Sequence, residues 1–487
     1  MNRLGVNESN QNYFSNTEEV YNLTRMLLKE LYSEEISEVG VDLLYNGPST
    51  LFEIQSRLKL SFDNIRNYLI IMLQNNVVTK VTNSRNKSNV ALYELNTEQI
   101  LNILLYPRTL RFVEKKYGIY AKMIFKQFIK FGVLTLEQIV EQIENEKKNG
   151  SANNNSEVIK VQIIELFIKL YEDNIIKYSE KAIDDESYYS PIVRSGNLKN
   201  RNIKLNKEED EEENTKILDI DDKIQKEKSL NKMEEFYENN TKNNMHFYIN
   251  FEQIKAEFQS EIIIDFINNN ISHPAAIIAG ELLKKHKISS LAIGMSQPVQ
   301  IDYVAKAYKS ISFNQIEDII KNNNEIFIKT NSDEIYLNLN KIKKEIKSKV
   351  IQNMIITKFS KEHFRVYNLL NLVGSLDQKN IMDICFIAPK KLNYIINQLF
   401  QEDLIKTNSV DFNGNIMLFY SIDEHQTGEN ILKMDLKIIN NYKSYYNEQQ
   451  NNIKNEFKEA TKQKEDLIKI TFIIDQICEN ILIIKYF

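Results

Sequence analysis

Tryptophan is absent from this 487-residue sequence, and glycine (12), proline (6) and cysteine (2) are scarce. So few turn-forming residues exclude folds that reverse direction every few residues, such as β-sandwiches, and predict a mainly helical chain. Cys385 and Cys478 are far apart in apolar helical contexts, so no disulfide framework is expected and a reducing, intracellular compartment fits best. The opening stretch "MNRLGVNESNQNYFSN" lacks an apolar core, so it does not read as a secretory signal. No run approaches the roughly 18 apolar residues of a membrane span. A net charge of −5 gives no polyanion-binding character to the whole chain, so any nucleic-acid contact has to come from local patches.

Catalytic signatures are missing too. His246, His273, His286, His363 and His425 are scattered without metal-ligand spacing. There is no phosphate loop and no G-x-S-x-G turn. Carboxylate pairs such as Glu34 and Glu35 fall on helix faces that read as exposed. "HP" at His273 and Pro274 reads as a helix boundary rather than a catalytic base. No active site, metal or cofactor is expected.

What is present is a repeating unit. "STLFEIQSRLKLSFDNIRNYLIIMLQNNVVTKVTNSRNKSNVALYEL" starts at Ser49, a candidate N-cap. Leu51, Ile54 and Leu58 share one helical face. Ile65, Leu69, Met72 and Leu73 share the next. Two strand-like runs, "VVTKV" and "VALYEL", flank a polar tip. Helix, turn, helix and a two-stranded ribbon make a winged helix-turn-helix. Its leading helix would be "TEEVYNLTRMLLKELYSEEISEVGVDLLYNG". Three more copies are recognisable, each with a third helix followed by an Asn or Asp turn and an apolar strand start: "NNVVTK", "DNIIKY", "NEIFIK" and "EDLIKT". Wings are predicted near 77–95, 175–180, 326–339 and 404–421.

The segment between the second and third copies has six consecutive acidic residues, 208–213, and few apolar ones, so it reads as a solvated linker. In the tail, Leu467, Ile470, Ile474, Ile477, Ile481 and Ile484 alternate spacings of three and four. That is a coiled-coil seam. A looser stripe at Ile438, Tyr442 and Tyr445 lies upstream as a possible partner in a hairpin. The expected architecture is mainly α with small β-wings: four tandem winged-helix domains plus a C-terminal coiled-coil helical hairpin. The expected boundaries are 17–96, 103–182, an acidic linker at 183–245, 246–341, 342–424 and 425–487.

These features resemble the winged-helix subunit-three family of RNA polymerase III. The similarity is carried by "GVDLLYNGPSTLFEI", "LIIMLQNNVVT", "LLYPRTLRFVEKKYG" and "FGVLTLEQIV", and more loosely by "FYINFEQIKAEFQSEIIIDFI" and the stretch from "FRVYNLLNLVG" to "QLFQEDLI". The resemblance implies a non-catalytic, nuclear polymerase subunit. It would be the scaffold of the initiation subcomplex, helping recruitment and promoter opening on small-RNA genes such as tRNA and 5S rRNA. Implied partners are other polymerase III subunits, especially the smaller winged-helix and acidic-tailed ones, and promoter DNA contacted mostly without sequence specificity. A free-standing winged-helix regulator and a scaffold of another large complex are the alternatives.

For DNA contact the candidate residues are Lys80, Arg85 and Lys87 on the first wing, Arg108 and Arg111 in "LLYPRTLRF", and Lys390 and Lys391 at the start of the fourth copy's third helix. The competing reading of "LLYPRTLRF" is a packed joint with Tyr106 and Leu110 buried. For a partner interface the candidates are the six seam residues, Leu467, Ile470, Ile474, Ile477, Ile481 and Ile484.

Overall fold

The computed structural model describes residues 17–82, 91–148, 156–179, 245–284, 287–307, 313–330, 333–412, 415–455 and 460–487. Two compact units are present, Met1–Tyr45 with Glu252–Phe487, and Asn46–Phe251. The wing tip bearing Arg85 and Lys87, and nearly all of the acidic linker, lie outside the described residues.

The predicted leading helix is two helices, α1 (Glu18–Leu31) and α2 (Glu34–Asn46). The break is chemical. Ser33 accepts the Ile36 amide on its hydroxyl at 3.3 Å and the Ser37 amide on its carbonyl at 3.1 Å. Glu34 and Glu35 then fill the first turn of α2, where a negative charge is favoured.

The Asn46–Phe251 unit continues with α3 (Leu51–Leu58), α4 (Phe62–Gln74) and the ribbon β1 (Val78–Thr82) and β2 (Ala91–Leu95). The N-cap of α3 is Thr50, not Ser49. Thr50 and Glu53 form a reciprocal capping box. Ser49 instead exchanges backbone hydrogen bonds with Tyr93 at 2.9 and 2.8 Å. Next come α5 (Thr97–Leu104), α6 (Tyr106–Tyr117), α7 (Ile119–Phe131), β3 (Leu134–Thr135), α8 (Leu136–Lys148), α9 (Ser156–Glu172), β4 (Ile176–Tyr178) and β5 (His246–Ile249). The sequence reading opened the third copy at His246. That strand instead pairs with both β3 and β4, completing the second sheet. Phe167 and Tyr171 pack edge-on against Phe247 beneath it, at 4.9 and 5.9 Å.

The other unit adds α10 (Phe251–Asn270), α11 (His273–Leu282), α12 (Lys287–Ile293), β6 (Val299–Gln300), α13 (Ile301–Ala307), α14 (Phe313–Asn322), β7 (Phe327–Lys329) and β8 (Glu334–Leu337). Then follow α15 (Leu339–Lys358), α16 (Lys361–Val373), β9 (Leu376–Asp377), α17 (Gln378–Cys385), α18 (Pro389–Gln401), β10 (Lys406–Phe412), β11 (Asn415–Ser421), α19 (Glu424–Asn455) and α20 (Ala460–Tyr486). Helices α11 and α12 were not anticipated. Ser272 caps α11 through the Ala275 amide, and Pro274 sits in its first turn, where no amide is needed.

The sheets share one topology. A short strand ahead of the second helix pairs with the returning wing strand, which pairs with the first wing strand: β3-β5-β4, β6-β8-β7 and β9-β11-β10. The first copy has the same plan reduced to the Ser49–Tyr93 bridge. The repeated Asn or Asp ahead of each wing has a backbone cause. Asn76, Asn174 and Asp403 are left-handed, with φ of 56°, 56° and 52°. The following amide then reaches back to the helix, Val77 to Met72, Ile175 to Leu170 and Leu404 to Leu399, each at 2.9 Å. This is the helix stop that Asn and Asp tolerate better than most residues. The third copy turns without it, through Ile326 to Asn323 at 3.0 Å.

Candidate nucleic-acid and partner surfaces

"LLYPRTLRF" forms the end of α5, a turn at Leu105 and the start of α6. Pro107 costs no hydrogen bond because it lies in the first turn of α6. The joint is packed. Tyr106 stacks on Phe251 with ring centroids 5.7 Å apart, and its hydroxyl accepts from Gln99 at 3.3 Å. Burial holds the Tyr106 phenol well above its usual range. Gln99 also donates to the Asn75 carbonyl, at 3.3 Å, and accepts from Asn102 at 3.0 Å. Tyr106 and Leu110 are half-buried as residues, so the joint is less closed than expected at those two positions.

Arg108 is half-buried and Arg111 exposed. Helical spacing puts Arg108, Arg111 and Lys115 on one stripe of α6, and Lys122, Lys126 and Lys130 on one stripe of α7. Helices α6 and α7 pack as a hairpin turned at Gly118, which adopts φ +91°. Lys122 reaches across to Glu114 at 2.5 Å, which ties the two helices together. Seven cations and one acid lie in residues 108–130. Arg111, Lys115, Lys116, Lys126 and Lys130 are exposed. Lys115, Lys116, Lys122, Lys126 and Lys130 were not anticipated as site residues. Their signal in the sequence is the i, i+4, i+8 spacing in α7, which the net charge of −5 averages away.

Lys80 is exposed on β1, in register with Tyr93 on β2. On α18, Lys390 and Lys391 are exposed in the first turn. Lys391 pairs with Glu362 at 2.5 Å and holds that carboxyl below the usual carboxylate range. In the third copy Glu317 of α14 is paired with the wing. Lys329 contacts Glu317 at 3.1 Å and Asp333 at 2.9 Å, and both raise its pKa.

The C-terminal seam is a core. Helix α20 packs on α19 and on α15. Ile470, Ile477, Ile481 and Ile484 are buried, and Leu467 and Ile474 are half-buried. Of the six candidate partner-interface residues, four are thus buried within the chain, and Leu467 and Ile474 keep partial exposure. Their counterpart is also shifted from the expected stripe: Ile431, Leu432, Leu436 and Ile439 are buried, Ile438 and Tyr442 are half-buried and Tyr445 is exposed. Helix α1 braces α19 from another side. Asn440 donates to the Glu19 carbonyl at 3.0 Å, and Lys443 pairs with Glu30 at 2.6 Å.

No group of three or more His, Cys, Asp or Glu side chains among the described residues could hold a metal ion. His363 sits between Ser360 and Gln398, at 2.8 and 2.7 Å, and stacks on Phe359. Both cysteines are buried. No helix among the described residues is long and apolar enough to cross a membrane.

Three family models match this chain. The RNA polymerase III subunit RPC82 helix-turn-helix domain matches residues 22–83, RNA polymerase III subunit RPC82 matches 165–363, and the POLR3C C-terminal winged-helix domain matches 351–414. Among curated proteins, the DNA-directed RNA polymerase III subunit RPC3 of Danio rerio is 18% identical over 450 residues, 86% of this chain and 82% of that protein. The protein of the same name in Rattus norvegicus is 18% identical over 80% of this chain and 75% of its own length. That of Homo sapiens is 26% identical over 121 residues, 25% of this chain and 22% of its own. With winged helices at the matched positions and relatives aligned over most of its length, the chain belongs to the RPC82/POLR3C family of RNA polymerase III subunits.

Proposed function

We propose that this RNA polymerase III subunit is a non-catalytic scaffold of the polymerase's initiation subcomplex, working in the nucleus in recruitment and promoter opening on small-RNA genes such as tRNA and 5S rRNA. The observation that carries the reading is the fourfold helix-turn-helix-wing plan, which runs through a chain aligned over 86% of its length with a polymerase III subunit. Its partners on this reading are other polymerase III subunits, especially the smaller winged-helix subunit and the acidic-tailed subunit. The proposed domain plan is four winged helices, the second closed by the strand at His246–Ile249 after the acidic segment, followed by the helical hairpin. Affinity purification of the tagged chain from nuclear extract, with identification of the co-purifying proteins, tests it. Recovery of the polymerase III set is expected. Recovery of a different assembly, or of the chain alone, overturns the reading.

DNA contact is auxiliary and made to the phosphate backbone. The candidates are Lys80, Arg85 and Lys87 on the first wing, Arg108 and Arg111 on α6, and Lys390 and Lys391 on α18. The local excess of seven cations over one acid in residues 108–130 supports the α6–α7 segment most. Replacing Lys80, Arg85 and Lys87 by Ala is expected to flatten the salt dependence of DNA binding by up to about three phosphate equivalents. An unchanged slope removes the wing from the contact set.

A further inference from the structure

The fourth wing is built unlike the second and third. In those two copies the first wing strand, β4 or β7, is the edge of its sheet and is three residues long. Its counterpart β10 is also an edge, but it runs for seven residues and contains no proline. It pairs with β11 in one unbroken register, from Lys406↔Ser421 to Phe412↔Asn415, so no bulge turns its outer side away. Among the described residues no strand pairs with that outer side. Sheets ordinarily avoid a long, regular edge, because its alternate amides and carbonyls are a template for another strand.

The wing also overruns its own domain. Strand β9 reaches only Phe419 and Tyr420 of β11, so from Leu418 to the tip the ribbon is two-stranded. Tyr420 is buried, while Leu418 and Ile416, which alternation puts on the same face, are exposed, Ile416 by 74%. Val410 and Met417 are in register and so share the opposite face, and both are exposed as well. A two-stranded ribbon is marginal in water and gains from a third strand. Nucleic acid does not suit it. Residues 407–422 carry one acid and no base, and the neighbouring Lys406 pairs with Asp423 at 2.6 Å. A phosphate backbone is met with cations.

We propose that β10 accepts an extended segment of another polymerase III subunit as a further β-strand. The open main-chain groups specify a polypeptide. The apolar, base-free ribbon specifies a segment with apolar side chains at alternate positions. Membership of a multi-chain polymerase supplies the partner. The side chain opposite Val410 packs beside Val410 and Met417. The inference rests on the scaffold reading and adds the surface and the mode of one of its contacts.

The test uses polymerase III purified through another of its subunits, from cells carrying the full chain with a benzoylphenylalanine photo-cross-linker at position 410. Irradiation is expected to join that position to one continuous segment of one other polymerase subunit. Main-chain pairing is then tested with N408P and S409P. Neighbouring amides of a strand point opposite ways, so one of these two prolines removes an outward amide and leaves the β10–β11 ladder whole. That variant is expected to stay in the polymerase and to lose the cross-link by at least about 5-fold. N408T and S409T keep both amides and are expected to keep the cross-link. A cross-link to DNA, to a second copy of this chain or to no chain overturns the inference. So does a cross-link undiminished in both proline variants, or one lost equally in the threonine variants. Each of these leaves the scaffold reading standing. Failure to recover the wild-type chain with the polymerase overturns both.

Discussion

Asn250 donates its side-chain amide to the carbonyl of Asn174 at 2.7 Å, across 76 residues of sequence. Its own backbone amide donates to Ile175 at 2.9 Å, so one residue fastens both the turn and the first wing strand. Asn96 does the same for the first copy, with its side chain on Asn76 at 3.2 Å and its amide on Val77 at 2.8 Å. In the fourth copy the donor comes from α19, where Asn430 reaches the Asp403 carbonyl at 2.8 Å. These carbonyls belong to left-handed residues at helix ends, whose peptide groups cannot continue the helical ladder. Asn250 is buried, so Asn250→Ala leaves the Asn174 carbonyl short of a donor and is expected to cost about 1–3 kcal/mol. Asn174→Gly keeps the turn and relieves the left-handed strain, so it is expected to be neutral or slightly stabilising. Urea unfolding of both variants checks the pair, and equal losses at the two positions would refute the clamp.

Gly132 makes a sharper demand. Its φ is +77°, and a Cβ there would stand 2.1 Å from the Gln74 carbonyl oxygen, which accepts the Val133 amide at 3.0 Å. The end of α4 and the end of α7 thus meet through backbone alone. Gly118→Ala has a similar φ of +91° but meets nothing within 4 Å. It is expected to cost only the backbone penalty of about 1–3 kcal/mol for a non-glycine residue in that conformation. Gly132→Ala is expected to exceed it by at least about 2 kcal/mol, because the obstructing atom is backbone and cannot swing away. Denaturant midpoints of the two variants decide this, and equal losses would mean that the contact relaxes freely.

The repeating unit is legible in the sequence because its signals are local. Ile65, Leu69, Met72 and Leu73 mark a helix by period, and "NNVVTK" marks a helix stop followed by a strand. Elements set by distant partners are not legible. Strand β5 reads as the start of a new domain because the strands it pairs with lie on the far side of the linker. The break between α1 and α2 depends on one serine in "LYSEE", and no Gly or Pro advertises it. The hairpin partner of α20 is hard to read because α19 buries a mixed face, Ile431, Leu432, Leu436 and Ile439, that includes a buried acid, so its apolar period is blurred. The candidate site was legible only in part. Arg108 and Arg111 stand beside a conspicuous Pro107, while the lysines of α7 alternate with core residues Ile124, Phe125 and Phe128 and read as the back of an ordinary amphipathic helix.

The tail discriminates between a core and an open seam. Ile477 is 8% exposed and Ile468, one face away, is 69% exposed. Ile477→Asp brings a charge without a partner into the packing of α20 on α19 and α15, and is expected to cost about 3–5 kcal/mol locally. Ile468→Asp is expected to stay within about 0.5 kcal/mol. Because the seam is buried within one chain, neither substitution is expected to change the mass in solution. Circular dichroism and light scattering on both variants test this. A wild-type dimer that Ile477→Asp converts to a monomer would show that the seam pairs between chains instead.

Asp435 is fully buried on α19, and neither carboxylate oxygen has a hydrogen-bond partner among the described residues. Burial alone pushes its pKa up to about 7. The folded chain therefore keeps a proton that the unfolded chain, with a carboxyl near 3.8, has already released. Stability must fall as pH rises between those two values and level off above the upper one. A displacement of about three units corresponds to a loss of roughly 4 kcal/mol by neutral pH. The carboxyls of Glu53, Glu362 and Asp423 are shifted down, so their contribution has the opposite sign and is lost only on acidification below about pH 4. The window from pH 5 to 7 thus isolates Asp435 from them. Asp435→Asn keeps the shape and removes the titration, so it is expected to be more stable than the wild type at pH 7.5, by a smaller margin at pH 5, and flat between where the wild type falls. Urea midpoints of the two proteins at both pH values measure the difference. Parallel slopes would show that Asp435 is ionised and solvated in the native chain.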